Sequence, residues 1–313
     1  MTELHEGFSS TFVDCGEVRL HVMHNAAGVD DGGTLRDDRS AIVFLHGFPE
    51  YWAGWHPVFR YLAEDYLLIA PDQRGYNLSD APQPTESYAA SKLVGDVLAI
   101  ADHLLGDRKF ILCGHDWGAS VAYALAIRHS ERLNGLVIAN GVHPVLFQRA
   151  LLNDEGQKQA SQYFHILTAV GAAERMTEHD FARTLSMFEK FSHTPWLDDA
   201  TRTAYRTAWS GEGRLNAMLN WYRASPVIVP KSGEPNPEAP LALGTPEHFS
   251  VRVPHLLVWG MKDQALLPVS RRRLEEFAPD LRIVEIDDGD HWVVHTHPEQ
   301  IATQIRAFAQ SLG

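Results

Sequence analysis

The chain has 313 residues, enough for one large domain or two modest ones, and is 45% hydrophobic and 21% charged, the balance of a globular protein with a substantial core. Its 40 acidic against 27 basic residues give a formal net charge of −13, a field that repels polyanions and excludes nucleic acid as an expected partner. The opening MTELHEGFSS lacks a basic-then-apolar leader and no apolar run is long enough for a bilayer, so a soluble, cytoplasmic protein without a membrane partner is expected.

In chain order, Thr11–Val13 and Val18–His24 predict an opening hairpin, and Gly28–Ser40, with its DDGGTLRDDRS, predicts a solvated loop. Six apolar runs then read as interior strands: Ala41–Leu45, Leu67–Pro71, Phe110–Cys113, Leu136–Ala139, His255–Trp259 and Arg282–Ile286. Helix-period segments separate most of them, the pattern of a mostly parallel sheet flanked by helices. Only Cys15 and Cys113 are present, which excludes a disulfide framework and argues against a cysteine zinc site.

Between Pro144 and Pro246 the strand signal vanishes. Helices are expected over Gln157–Val170, Glu178–Phe191, Asp198–Trp209 and Leu215–Arg223, followed by an extended, proline-rich return, PVIVPKSGEPNPEAPLALGTPEHF. The chain therefore divides into a core over 1–143, an all-helical insertion over 144–245 and a second core part over 246–313.

The run ILCGHDWGAS at 111–120 passes from strand through Gly114-His115-Asp116-Trp117-Gly118 into the helical period of Ala119–His129, the sharp turn that exposes a nucleophile above a sheet. Serine is the usual occupant of the middle position, yet the chain contains no Gly-x-Ser-x-Gly. Asp116 takes the place. A carboxylate is ionised at neutral pH and attacks without a base; at a saturated carbon it leaves an ester, which must then be hydrolysed.

Hydrolysis needs a base to activate water and an acid to orient that base. Asp263 follows the run HLLVWG and His291 follows RIVEID, in the chain order nucleophile, acid, histidine. Any one of seventeen histidines could be a solvated side chain, but His291 is singled out by its place after the last strand; His295 and His297 are expected at the surface. The sixth strand ends in Ala139-Asn140-Gly141 and offers no acid. The backbone N–H groups of Trp117 and of Phe48, in His46-Gly47-Phe48-Pro49, are the expected oxyanion donors.

HGFPEYWAGW at 46–55, PDQRGYNLSD at 71–80, GHDWGASVAY at 114–123 and GDHWVVHTHPEQ at 289–300 resemble the epoxide hydrolase branch of the α/β-hydrolase superfamily over nearly the whole chain. The resemblance implies an α/β-hydrolase fold, an eight-stranded, mostly parallel sheet with a helical cap inserted after the sixth strand. It implies conversion of a small apolar epoxide and water to a vicinal diol, with neither cofactor nor metal. Two cap tyrosines usually hold the epoxide oxygen in that family and supply a proton. Tyr222, in Leu219-Asn220-Trp221-Tyr222-Arg223, matches the second; the first falls on Ala160, with Tyr163 about one helical turn further on. Tyr163 turned inward, His165 in its place, or Tyr222 alone are all open.

Haloalkane dehalogenases share GHDWGA, but that family commonly places asparagine after His-Gly, where this chain has Phe48. A haloacid dehalogenase usually has arginine where Trp117 stands. A non-catalytic ligand receptor on the same fold would have no need of Asp116, Asp263 and His291 together. One sequence leaves a homodimer open and does not disclose which epoxide or enantiomer is preferred.

Overall fold

The computed structural model describes residues 7–192 and 196–313. Eight strands, β1 (Ser9–Asp14), β2 (Arg19–His24), β3 (Ala41–Leu45), β4 (Leu67–Pro71), β5 (Phe110–His115), β6 (Leu133–Ala139), β7 (His255–Gly260) and β8 (Leu281–Ile286), form one sheet in the order β1-β2-β4-β3-β5-β6-β7-β8. β2 runs antiparallel to β1 and β4, and the remaining pairs are parallel. Every residue of β3, β4, β5 and β7 is buried, because helices cover both faces; such strands need continuous apolar runs rather than alternation.

After β3 the chain crosses to β4 on one side and returns as β5 on the other. The crevice beyond the carboxyl ends of β3 and β5 is therefore a topological switch point, where sheets of this kind place their sites. The core helices are α1 (His56–Phe59), α2 (Ala90–Leu105) and α3 (Trp117–Arg128) before the insertion and, after it, α10 (Pro246–Phe249), α11 (Val293–Thr296) and α12 (Pro298–Ser311). Among the described residues no helix is long and apolar enough to cross a membrane.

Between β6 and β7 lie α4 (Pro144–Asn153), α5 (Glu155–Ala160), α6 (Tyr163–Thr168), α7 (Ala172–Lys190), α8 (Asp199–Trp209) and α9 (Arg214–Ala224), a helical cap. It is tied to the core through tryptophan: Trp209 Nε1 donates to Pro49 O at 2.6 Å and Trp221 Nε1 to Arg74 O at 2.9 Å.

Two cap expectations need correction. The single helix expected over Gln157–Val170 is broken at Ser161-Gln162. There the Gln162 amide donates back to Lys158 O and across to Pro230 O, tying the break to the extended return path. The helix expected from Glu178 begins instead at Ala172 and kinks where His179, Asp180 and Phe181 have φ of 51°, 54° and 62°. Thr184 Oγ1 donates to Met176 O beside this break. α4 adds to the expected helices, with Pro144 in its first turn, where a missing N–H costs nothing.

Candidate active site

β5 ends at His115 and α3 begins at Trp117, leaving Asp116 alone on the bend with φ 51° and ψ −119°. That region is costly for a residue with a Cβ and persists only where its surroundings impose it. Two glycines permit the close approach. A Cβ at Gly118 would run into the carbonyl of Leu45 at the end of β3, and one at Gly47 would lie 2.5 Å from Asp116 Oδ1.

The two carboxylate oxygens of Asp116 face different partners. Oδ1 accepts from the Phe48 N–H at 2.7 Å, and Oδ2 lies 3.6 Å from His291 Nε2. Trp117 is the first residue of α3, where N–H groups have no partner within the helix. The elbow, the histidine and the loop after β3 are thus brought together as their positions in the sequence suggest.

His291 Nδ1 donates to Asp263 Oδ2 at 2.9 Å. Asp263 is buried and fully occupied as an acceptor: Oδ1 takes the N–H groups of Ala265 and Leu266 at 2.7 and 2.8 Å, and Oδ2 takes Asn140 Nδ2 at 2.6 Å. Asn140 in turn accepts from Gly260 N–H at 2.8 Å, so the residue at the end of β6 braces the acid at the end of β7. Burial works against a charged His291, but the Asp263 and Asp116 carboxylates outweigh it and hold the ring's pKa well above the ordinary histidine value. Burial likewise opposes the Asp263 charge, while His291 and the hydrogen bonds lower its pKa.

A second layer lies behind these groups. Glu50 is fully buried; its Oε2 pairs with His115 Nδ1 at 3.1 Å, and its Oε1 with His295 Nε2 at 2.6 Å and Tyr205 Oη at 3.1 Å. His115 Nε2 donates to the backbone carbonyl of His291 at 2.8 Å. Burial would raise the Glu50 pKa, but the two histidines hold it below the usual carboxylate range. His295 is consequently not the surface residue expected: it is sandwiched between Glu50 and Trp196, whose ring stacks on it at 3.9 Å. His297 is largely covered as well and pairs with exposed Asp288 at 3.2 Å.

The cap supplies the aromatic ceiling. The Tyr222 ring stands edge-on to Phe48 at 5.2 Å, Trp117 at 4.9 Å and Phe164 at 4.9 Å, and 6.3 Å from Tyr163. Burial first, and then the Asp116 carboxylate, raise the Tyr163 pKa well above the tyrosine value; burial, Tyr163 and Asp116 do the same for Tyr222. Both hydroxyls therefore sit in the field of Asp116 and keep their protons. His165, on the same helix as Tyr163, is half-buried. A largely apolar cavity of about 330 Å³ adjoins Trp117 and is lined by Val121, Val142, Phe147, Trp221 and Val227 among others, but not by Asp116, His291, Tyr163 or Tyr222.

A family model described as the alpha/beta hydrolase fold matches residues 40–298, and the chain belongs to that family. It is 34% identical over 94% of its length to the AB hydrolase superfamily protein YfhM of Bacillus subtilis (strain 168), covering 95% of that protein. It is 30% identical to epoxide hydrolase 3 of Mus musculus, over 94% of this chain and 75% of the mouse protein. A solved structure described among novel epoxide hydrolases from metagenomes of hot environments superposes with a TM-score of 0.83 at 31% identity, covering 96% of this chain and 98% of that one. Within the α/β hydrolases, the chain is an enzyme of the epoxide hydrolase family.

Proposed function

We propose that the protein opens small apolar epoxides to vicinal diols through an ester on Asp116. The supporting observation is the division of labour at that carboxylate: Oδ1 rests on the Phe48 N–H, while Oδ2 lies beside His291. Tyr163 and Tyr222 stand in the field of the same charge.

In the first half-reaction Asp116 Oδ2 attacks a ring carbon and the carbon–oxygen bond on that carbon breaks. The leaving alkoxide is strongly basic, so a proton from Tyr222, assisted by Tyr163, lowers the barrier. A departing halide needs no such proton, and the tyrosine pair therefore favours an epoxide over a haloalkane. The residues 144–245 act as the lid that brings these hydroxyls over Asp116.

Ester formation removes the Asp116 charge and with it one of the two carboxylates that keep His291 protonated. The ring loses its proton to the tyrosinate and becomes a base, oriented by Asp263. It takes a proton from water, whose oxygen bonds to Asp116 Cγ. The negative charge gathers on Oδ1, held by the N–H groups of Phe48 and Trp117, each worth about 3 kcal/mol in such sites. Collapse breaks the bond from Cγ to Oδ2, and the diol leaves with Oδ2 and the remaining water hydrogen.

A single turnover with enzyme in excess in heavy-oxygen water tests the scheme. The diol is expected to carry ordinary oxygen, taken from Asp116. Heavy oxygen in the first diol released would overturn it.

A further inference from the structure

On the edge hairpin, three and four strands away from β5, a second set of side chains has the order hydroxyl, imidazole, carboxylate. Ser10 Oγ lies 2.8 Å from His21 Nε2, and His21 Nδ1 lies 2.7 Å from Asp72 Oδ2. The register explains how they meet. β1 and β2 pair Phe12 with His21 and Ser10 with Met23, so Ser10 is the diagonal neighbour of His21 on one face of the hairpin. Asp72 enters from the end of β4.

The hydrogen-bond roles follow from the acceptors. The Asp72 carboxylate accepts on every side: Oδ1 takes the Trp52 N–H at 3.0 Å, and Oδ2 takes Asn77 Nδ2 at 2.8 Å along with His21 Nδ1. An ionised carboxylate has no proton to give, so His21 Nδ1 carries a hydrogen, and in the neutral ring Nε2 presents its lone pair to Ser10. The serine hydroxyl must then donate to the ring. This is the polarity of an activated nucleophile, within the distance range at which a histidine takes the proton from serine. His21 and Asp72 are buried, whereas Ser10 is exposed on the outermost strand. Phe12, 38% exposed, lies 5.3 Å from the His21 ring, with the Arg19 guanidinium over its own ring at 4.4 Å.

We propose that Ser10, activated by His21 and Asp72, is a second nucleophilic centre, separate from Asp116, which accepts acyl groups from activated esters. Ser10 Oγ bonds to the acyl carbon, its proton passes to His21 Nε2, and the bond from that carbon to the leaving phenolate breaks. The imidazolium then returns the proton to the phenolate or to water, and Ser10 keeps the acyl group as an ester.

The test exposes the intact protein to p-nitrophenyl acetate and follows acetylation by peptide mass analysis. Ser9 is the internal reference: it is also exposed and adjacent, but strand alternation points it to the other face. Ser10 is expected to acetylate at least about tenfold faster than Ser9, a modest fraction of what general-base assistance gives. In His21→Gln the two rates should converge, with epoxide turnover unchanged. Equal labelling of Ser9 and Ser10 in the unaltered protein overturns the proposal whether or not His21→Gln folds; an undiminished Ser10 rate in a folded His21→Gln protein overturns it as well.

Discussion

His291 spans two carboxylates, with Nδ1 at 2.9 Å from Asp263 and Nε2 at 3.6 Å from Asp116. On the proposed mechanism only one of those carboxylates survives as a charge once the substrate is attached, and the ring's proton affinity falls at the moment a base is needed. Replacing it separates the two half-reactions. His291→Gln should still form the ester but lose about 10²–10⁴-fold in turnover. The check is a mass increase on the Asp116 peptide after incubation with a styrene-type epoxide; an unmodified peptide with turnover lost would place His291 in the first step instead.

The tyrosine pair gives a graded expectation. Tyr222→Phe and Tyr163→Phe keep the rings that pack on Phe164 and on one another, so melting temperatures should stay unchanged. Each single change should slow ester formation, and the double change should reach a loss of about 10²–10⁴-fold. Pre-steady-state formation of the ester measures this directly. A double variant with an unaltered rate would return both residues to packing alone.

Gly47 is held to hydrogen by Asp116 itself, since a methyl there would press on Asp116 Oδ1 and Cβ. Gly47→Ala should displace the carboxylate from the Phe48 N–H, cutting turnover by about 10²-fold or more, comparable to the loss of an oxyanion donor. Steady-state kinetics beside a thermal melt separate this from unfolding.

Two histidines away from the site weaken the fold in acid. His255 lies between Leu136 O and Tyr123 Oη, and His143 donates through Nε2 to Phe249 O while its buried Nδ1 has no partner among the described residues. Burial pushes both down to about 4. An unfolded chain takes up these protons near pH 6.5 and the folded one does not, so stability is lost as pH falls from about 6.5 toward 4. Each group contributes on the order of 3 kcal/mol to that loss. Denaturant midpoints measured across this window should fall, and His143→Leu should make the drop smaller.

The interior strands were legible because burial on both faces demands unbroken apolar runs; Ala41–Leu45 and Leu67–Pro71 coincide with β3 and β4. Asp116, Asp263 and His291 were legible for a related reason, as each lies in the turn or loop after a strand whose end can be read. Glu50, His115 and Asn140 were not. Their partners lie 65 to 245 residues away for Glu50 and 120 or more for Asn140, and no local pattern announces such pairings. His295 was misplaced for the same reason: its helical position is ordinary, and only the approach of Glu50 and Trp196 removes it from solvent. The break at Ser161 escaped notice because the amide that turns there answers to Pro230, across the cap.

The Phe48 amide grips one oxygen of Asp116 before any substrate arrives, and this sorts the two atoms by fate. On the proposed mechanism Oδ2 departs with each diol and is replaced from solvent, whereas Oδ1 stays behind in its cradle. Over many cycles in heavy-oxygen water the enzyme should therefore accumulate a single isotopic substitution per active site. Two would mean that the side chain flips between rounds, making the carboxylate a clock for how tightly this corner of the protein is held.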